Sequence, residues 1–184
     1  MNVLIIAGSN RRNAASTRLC RYMEKLIREA GHAVRLFALY EHPLPLYSPE
    51  TEDCADPHAI ALKQAAREAE AFILATPEYH GTVSGVLKNA LDYLGSDHFA
   101  GKTVLSCCSS GGAVGISSLQ NLQTIVRNVH GVNCPEWISL GGENRKFTPD
   151  GEPENPKIRE RVLRTVEIFL GMAEALNRLH SQER

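Results

Sequence analysis

The feature that most constrains this chain is a repeated alternation of short apolar runs with amphipathic stretches. The runs are Val3–Ala7, Val34–Leu39, Ala71–Thr76, Thr103–Cys108 and Trp137–Leu140, each bounded by Gly, Pro or Ser. Near-continuous apolar runs of this length are what a strand shows when helices cover both its faces. The first helical pattern, TRLCRYMEKLIREAG, carries Leu19, Tyr22, Met23, Leu26 and Ile27 on one face and stops at Gly31. HAIALKQAAREAE, SGVLKNALDYL, SSLQNLQTIVRNV and KIRERVLRTVEIFLGMAEALNRL follow in turn. Parallel strands need crossover helices, so this order predicts an α/β fold, a parallel sheet with helices on both faces. At 184 residues the chain has the length of one domain, expected to span 1–184.

In such a sheet, ligands bind beyond the carboxyl ends of the strands, where the strand order switches direction. Three loops are therefore candidates: GSNRRNAAST, PEYHGTVSG and SSGGAVGISS, after the first, third and fourth runs. The first opens onto a helix, whose free N–H groups and dipole attract an anion. Ser9, Ser16 and Thr17 add hydroxyls there, and Arg11 or Arg12 adds a guanidinium fork. A phosphate monoester suits that donor set. Neither GxxxxGK[ST] nor GxGxxG is present, which excludes two familiar phosphate loops. A plainer reading makes Ser16 the N-cap of the helix and leaves both arginines in solvent.

In the second loop Pro77 and Gly81 bracket a tight turn with Glu78, Tyr79 and His80 at its tip. Backbone amides and an aromatic side chain in that arrangement suit a flat heteroaromatic ligand. His80 reads either as a general acid–base or as a surface imidazole beside a ligand. Cys107 and Cys108 precede the third loop; adjacent strand residues face opposite ways, which favours packing over a redox pair.

Lys plus Arg number 20 against 21 Asp plus Glu, a net charge of −1. That balance speaks against the basic face of a nucleic-acid binder and against the acidic surface of a steered electron carrier. No apolar run reaches the roughly 18–20 residues of a membrane span. Met1 and Asn2 lead straight into the first run, so no secretory signal is expected. Cys20, Cys54, Cys107, Cys108 and Cys134 are scattered and odd in number, as expected of reduced thiols in a cytoplasmic protein. Their spacing matches no zinc or iron–sulfur pattern, so no metal is expected.

On these loops the chain resembles the NADPH-dependent FMN reductase family of flavodoxin-like proteins, which includes azoreductases, quinone reductases and chromate reductases. The resemblance runs from Val3 to about Leu140 and rests on GSNRR…ST, PEYHGTVSGVLKNALDYL and SSGG. It implies a flavodoxin-like three-layer sandwich, a five-stranded parallel sheet in the order 2-1-3-4-5, and an FMN-binding domain. It implies that Ser9, Arg11, Ser16 and Thr17 hold the FMN phosphate. Pro77, Glu78, Tyr79, His80 and Gly81 would line the isoalloxazine, largely through backbone groups. Ser109, Ser110, Gly111 and Gly112 would meet the pyrimidine side of the ring or the bound nicotinamide. The phosphate loop is longer than the family's S-x-R-x-x-S pattern, which leaves both Arg11 and Arg12 open as the phosphate ligand.

The implied activity is ping-pong: NADPH or NADH reduces FMN, and a small acceptor then takes two electrons. That acceptor would be a quinone, azo compound, chromate, ferric chelate or free flavin. The flavin carries the chemistry, so no catalytic side chain is expected. The alternative is a flavodoxin-type electron carrier with no NAD(P)H activity of its own. The resemblance further implies a homodimer or homotetramer through Leu87–Leu94, with Lys88 and Asp92 as charged contacts. The same pair reads equally as an i,i+4 bridge on a solvent face. In the polar loop 141–156, Arg145 and Lys146 are candidates for the NADPH 2′-phosphate.

Overall fold

A computed structural model describes residues 1–50 and 55–182. Its strands are β1 (Asn2–Ala7), β2 (Ala33–Ala38), β3 (Ala71–Pro77), β4 (Thr103–Ser110) and β5 (Val132–Gly141). Its helices are α1 (Ala15–Glu29), α2 (Pro57–Glu68), α3 (Gly85–Asp92), α4 (Ser96–Phe99), α5 (Ile116–Asn128) and α6 (Pro156–Gln182). All strand pairs are parallel and the order is β2-β1-β3-β4-β5. This is the expected flavodoxin-like topology, with its switch point between β1 and β3.

Side-chain alternation along each strand feeds two separate cores. Val3, Ile5 and Ala7 of β1, with Ile73 and Ala75 of β3, pack against α1 and α6 through Leu19, Met23, Val166 and Phe169. Leu4, Ile6, Phe72 and Leu74 point the other way, onto Leu62 of α2, Leu87 and Leu91 of α3, and Leu122 of α5. The three layers follow from that division. α1 ends as Gly31 requires: its N–H bonds the Arg28 carbonyl, the His32 N–H bonds the Ile27 carbonyl, and Gly31 sits at φ +86°.

Two elements depart from the sequence reading. β5 begins at Val132, not Trp137, because a bulge opposite Leu105 absorbs Pro135, which has no N–H to give the ladder. The short helix α4, with Phe99 against Phe72 at 4.3 Å between ring centroids, fills the approach to β4 and leaves no sequence period to detect.

Candidate active site

Because β1, β3 and β4 are neighbours running one way, their following loops converge on one edge of the sheet. Gly8 closes the first strand, and its N–H donates to the Ala75 carbonyl of β3 at 2.7 Å. The Ser84 hydroxyl donates to the Gly8 carbonyl, while Ser84 Oγ caps α3 by accepting the Leu87 N–H at 3.2 Å. Thr76 Oγ1 accepts the Ser84 N–H at 2.9 Å. Thus the first and second loops are stitched together at Ser84, which sequence reasoning assigned no role. Its one local signal was a serine standing just before a helical period.

Ser16 is not the N-cap of α1. Asn13 takes a left-handed backbone (φ 55°), Ala14 occupies the cap with no side-chain bond, and Ser16 lies inside the first turn. The first N–H groups of α1 therefore have neither an intrahelical acceptor nor a side-chain cap. Beside them Ser16 is 1% and Thr17 7% exposed, and neither hydroxyl oxygen has a hydrogen-bond partner among the described residues. Two orphaned hydroxyls at one uncapped helix end form a donor set without an acceptor. Ser9 is equally buried, and its Oγ accepts the Arg11 N–H at 3.2 Å, which folds the loop over the helix end. Arg11 is exposed with no ion-pair partner among the described residues, whereas Arg12 donates through Nε to the Tyr40 hydroxyl at 3.1 Å. A dianionic phosphate would supply acceptors for these donors, so the residues fit the group.

The second loop is a two-residue hairpin. Tyr79 and Thr82 exchange backbone hydrogen bonds at 3.1 Å, with His80 at φ 52° and Gly81 at φ 73° between them. Both central residues are left-handed, which is the geometry of a type I′ turn. Tyr79, His80 and Gly81 stand exposed at the tip. Pro77 closes β3 beside Ser109, whose carbonyl accepts the Glu78 N–H at 2.8 Å. The Glu78 side chain turns away from the tip: its Oε2 accepts the Ser118 hydroxyl at 3.0 Å, at the first turn of α5. A carboxylate there is favoured by the helix dipole. That bond holds the Glu78 carboxylate toward α5, and its backbone carbonyl remains beside the cleft.

In the third loop Ser110 is buried and its hydroxyl donates to the Gly112 carbonyl at 3.1 Å, while Gly111 and Gly112 are exposed, with open space where a Cβ would stand. Cys107 faces the α1 and α6 core, its Sγ 4.0 Å from Met23 Sδ, and Cys108 lies beneath Gly115. Burial first, and then the Glu78 charge, push the Cys108 thiol up to about 12 despite the Ser118 hydroxyl. A thiol is reactive only as thiolate. Hence Cys20, Cys107, Cys108 and Cys134, all buried, are expected to stay unmodified by a disulfide reagent at pH 8 and to react after denaturation. Peptide mapping would check this, and rapid native labelling of Cys108 would overturn it. Cys54 lies outside the described residues.

The polar loop 141–156 is folded back by a bridge between Phe147 and Pro153. Lys146 pairs with Glu143, lowering the carboxyl and raising the amine, and Arg145 Nε donates to the Gly142 carbonyl.

Residues 1–145 match the model of a family described as "NADPH-dependent FMN reductase". An "FMN-dependent NADPH-azoreductase" of Staphylococcus saprophyticus is 36% identical over 155 residues, which cover 82% of each chain. The protein of the same description from Staphylococcus aureus USA300 is 36% identical over 156 residues, again 82% of each. Among solved structures, FerB, a flavoenzyme NAD(P)H:(acceptor) oxidoreductase from Paracoccus denitrificans, superposes with a TM-score of 0.78. That likeness covers 95% of this chain and 97% of FerB at 21% identity, and speaks for the fold alone.

Proposed function

This chain belongs to the NADPH-dependent FMN reductase family, and from that membership we propose how its loops serve an FMN-dependent NAD(P)H oxidoreductase. FMN and NADPH are the cofactor and donor of that activity. The observation that carries the reading is the pair of buried, unpartnered hydroxyls of Ser16 and Thr17 at an uncapped helix end. With Ser9 and Arg11 they would hold the FMN phosphate. The backbone of Pro77 to Gly81 and of Ser109 to Gly112 would line the ring. When bound, FMN supplies the hydride-accepting and electron-donating chemistry. The chain's own part is to orient it, neutralise its phosphate and keep the cleft open to small acceptors in turn, a ping-pong use of one pocket.

We expect no side chain at the tip to be required for proton transfer: Glu78 Oε2 is engaged by Ser118, and His80 stands exposed at the tip. His80→Gly, which suits the left-handed backbone at φ 52°, is expected to keep FMN-loaded turnover within about tenfold. A loss beyond about a hundredfold would make His80 a general acid–base.

The whole chain, 1–184, would act as one FMN-binding domain. In a homodimer or homotetramer the outer side of α3 would serve as the contact. Leu87, Leu91 and Leu94 are buried in the chain's own core, so the exposed Lys88 and Asp92, paired at 2.6 Å, are the charged groups that α3 would offer a neighbour. The four described free thiols support a cytoplasmic location. No described helix is long and apolar enough to cross a membrane.

The deciding experiment is the visible spectrum of protein loaded with FMN, before and after anaerobic NADPH. Bleaching supports the oxidoreductase. A flavin spectrum that does not bleach favours the electron carrier, and failure to take up FMN overturns both.

A further inference from the structure

A cleft of about 510 Å³ lies at the carboxyl edge of the sheet, between the start of α1 and the segment after β2. That volume is within the range of small-molecule sites. Arg11, Arg12, Arg18 and Arg21 line it, and the one carboxylate among the lining residues is Glu41. Four guanidinium groups less one carboxylate leave three positive charges in a chain whose net charge is −1. Thr17 also lines the cleft and is 93% buried, with its Oγ1 unpartnered, so the cleft adjoins the proposed phosphate cradle.

These arginines are not equivalent. Arg18 is drawn aside, donating to the Thr148 carbonyl at 3.3 Å and stacking on Phe147. Arg21 is neutralised by Glu41 at 2.6 Å. Arg12 is exposed and is held by an uncharged partner: its Nε bonds the Tyr40 hydroxyl, and its guanidinium lies 5.5 Å from the Tyr40 ring centroid. Of its five donors, Nε alone is engaged among the described residues, so Arg12 keeps an uncompensated charge in a fixed direction. One FMN phosphate, carrying at most two negative charges, leaves one of the cleft's three positive charges unbalanced. A second phosphate would balance it.

We propose that this cleft receives the 2′-phosphate of NADPH, with Arg12 as the residue that recognises it and Tyr40 as the residue that positions Arg12. The inference rests on the oxidoreductase reading above, since it names part of that enzyme's donor site. Arg145 and Lys146, engaged with Gly142 and Glu143, are then not required for this role. A bidentate guanidinium–phosphate contact is specific for the phosphorylated nucleotide because NADH presents only a neutral hydroxyl at that position.

The test is calorimetric titration of FMN-loaded protein with adenosine 2′,5′-bisphosphate and with adenosine 5′-monophosphate, which differ only in the 2′-phosphate. Wild type is expected to prefer the bisphosphate by about tenfold or more, the size of one charge-assisted hydrogen bond. In Arg12→Ala the preference should fall to about twofold, and Arg12→Lys should retain part of it. The ratio of kcat/KM for NADPH over NADH should fall in parallel. A preference that survives Arg12→Ala, or is absent from wild type, overturns the proposal. So does release of FMN from Arg12→Ala, which would place Arg12 at the FMN phosphate instead. The two readings fail separately. Protein that takes up FMN but is bleached by neither nucleotide sinks the oxidoreductase, whereas bleaching with no change in donor preference sinks only the role of Arg12.

Discussion

Replacing Ser16 with alanine and Thr17 with valine together is expected to weaken FMN binding by about a hundredfold to ten-thousandfold while making the FMN-free protein more stable. The opposite signs come from one fact. Each hydroxyl oxygen is buried without a partner among the described residues, so the empty protein carries its desolvation cost, about 1–3 kcal/mol per group. A bound phosphate repays that cost with hydrogen bonds to a charged acceptor, each contributing about 1.5–3 kcal/mol. Removing the hydroxyls deletes both effects. At this chain length each kcal/mol gained moves the melting temperature by about 2–4 °C. Flavin fluorescence titration and thermal denaturation of the FMN-free protein read the two quantities. A double variant that loses affinity and stability together would show that the hydroxyls have a structural partner. One that keeps its affinity would put the phosphate elsewhere.

Gly8→Ala should be strongly destabilising, whereas Gly85→Ala should be harmless. A Cβ on Gly8 would stand 2.7 Å from Leu87 Cβ and 2.8 Å from the Ala75 carbonyl oxygen. Neither can yield cheaply: one is at the root of a buried helix side chain and the other belongs to the central strand β3. Overpacking of this kind costs about 3 kcal/mol, or some 6–12 °C in melting temperature at this length. The same displacement would break the Ser84 bond to the Gly8 carbonyl and part the first two loops, so FMN affinity should fall as well. At Gly85 a Cβ meets nothing within 4 Å in the first turn of α3, and alanine there is expected to stabilise by a few tenths of a kcal/mol or leave stability unchanged. Equal melting temperatures for the two variants would refute the argument from close approach.

Much of this molecule was legible before any coordinates. Apolar runs, helical periods and turn residues are local signals, and they placed five strands, five of the six helices and the Gly31 stop. The order of those elements, with right-handed crossovers the rule for parallel strands, then brings the loops after β1, β3 and β4 to one edge. A glycine followed by hydroxyl residues and arginines at a helix start is what makes a phosphate the expected ligand class there.

What only the tertiary structure decided are the partners of those same residues. It gave Glu78 to Ser118, 40 residues away, and Gly8 to Ser84, 76 residues away. It moved Ser16 from the cap into the first turn, because Asn13 turns left-handed and hands the cap to Ala14. It separated Arg11 from Arg12 by setting Tyr40 beside the latter, and it let β5 start early through a bulge. The reason is physical: propensity and periodicity act over a few neighbouring residues, whereas desolvation and side-chain hydrogen bonding depend on what the folded chain brings alongside. Sequence determined which chemical groups stand at the edge of the sheet, and packing decided which of them are left free to bind.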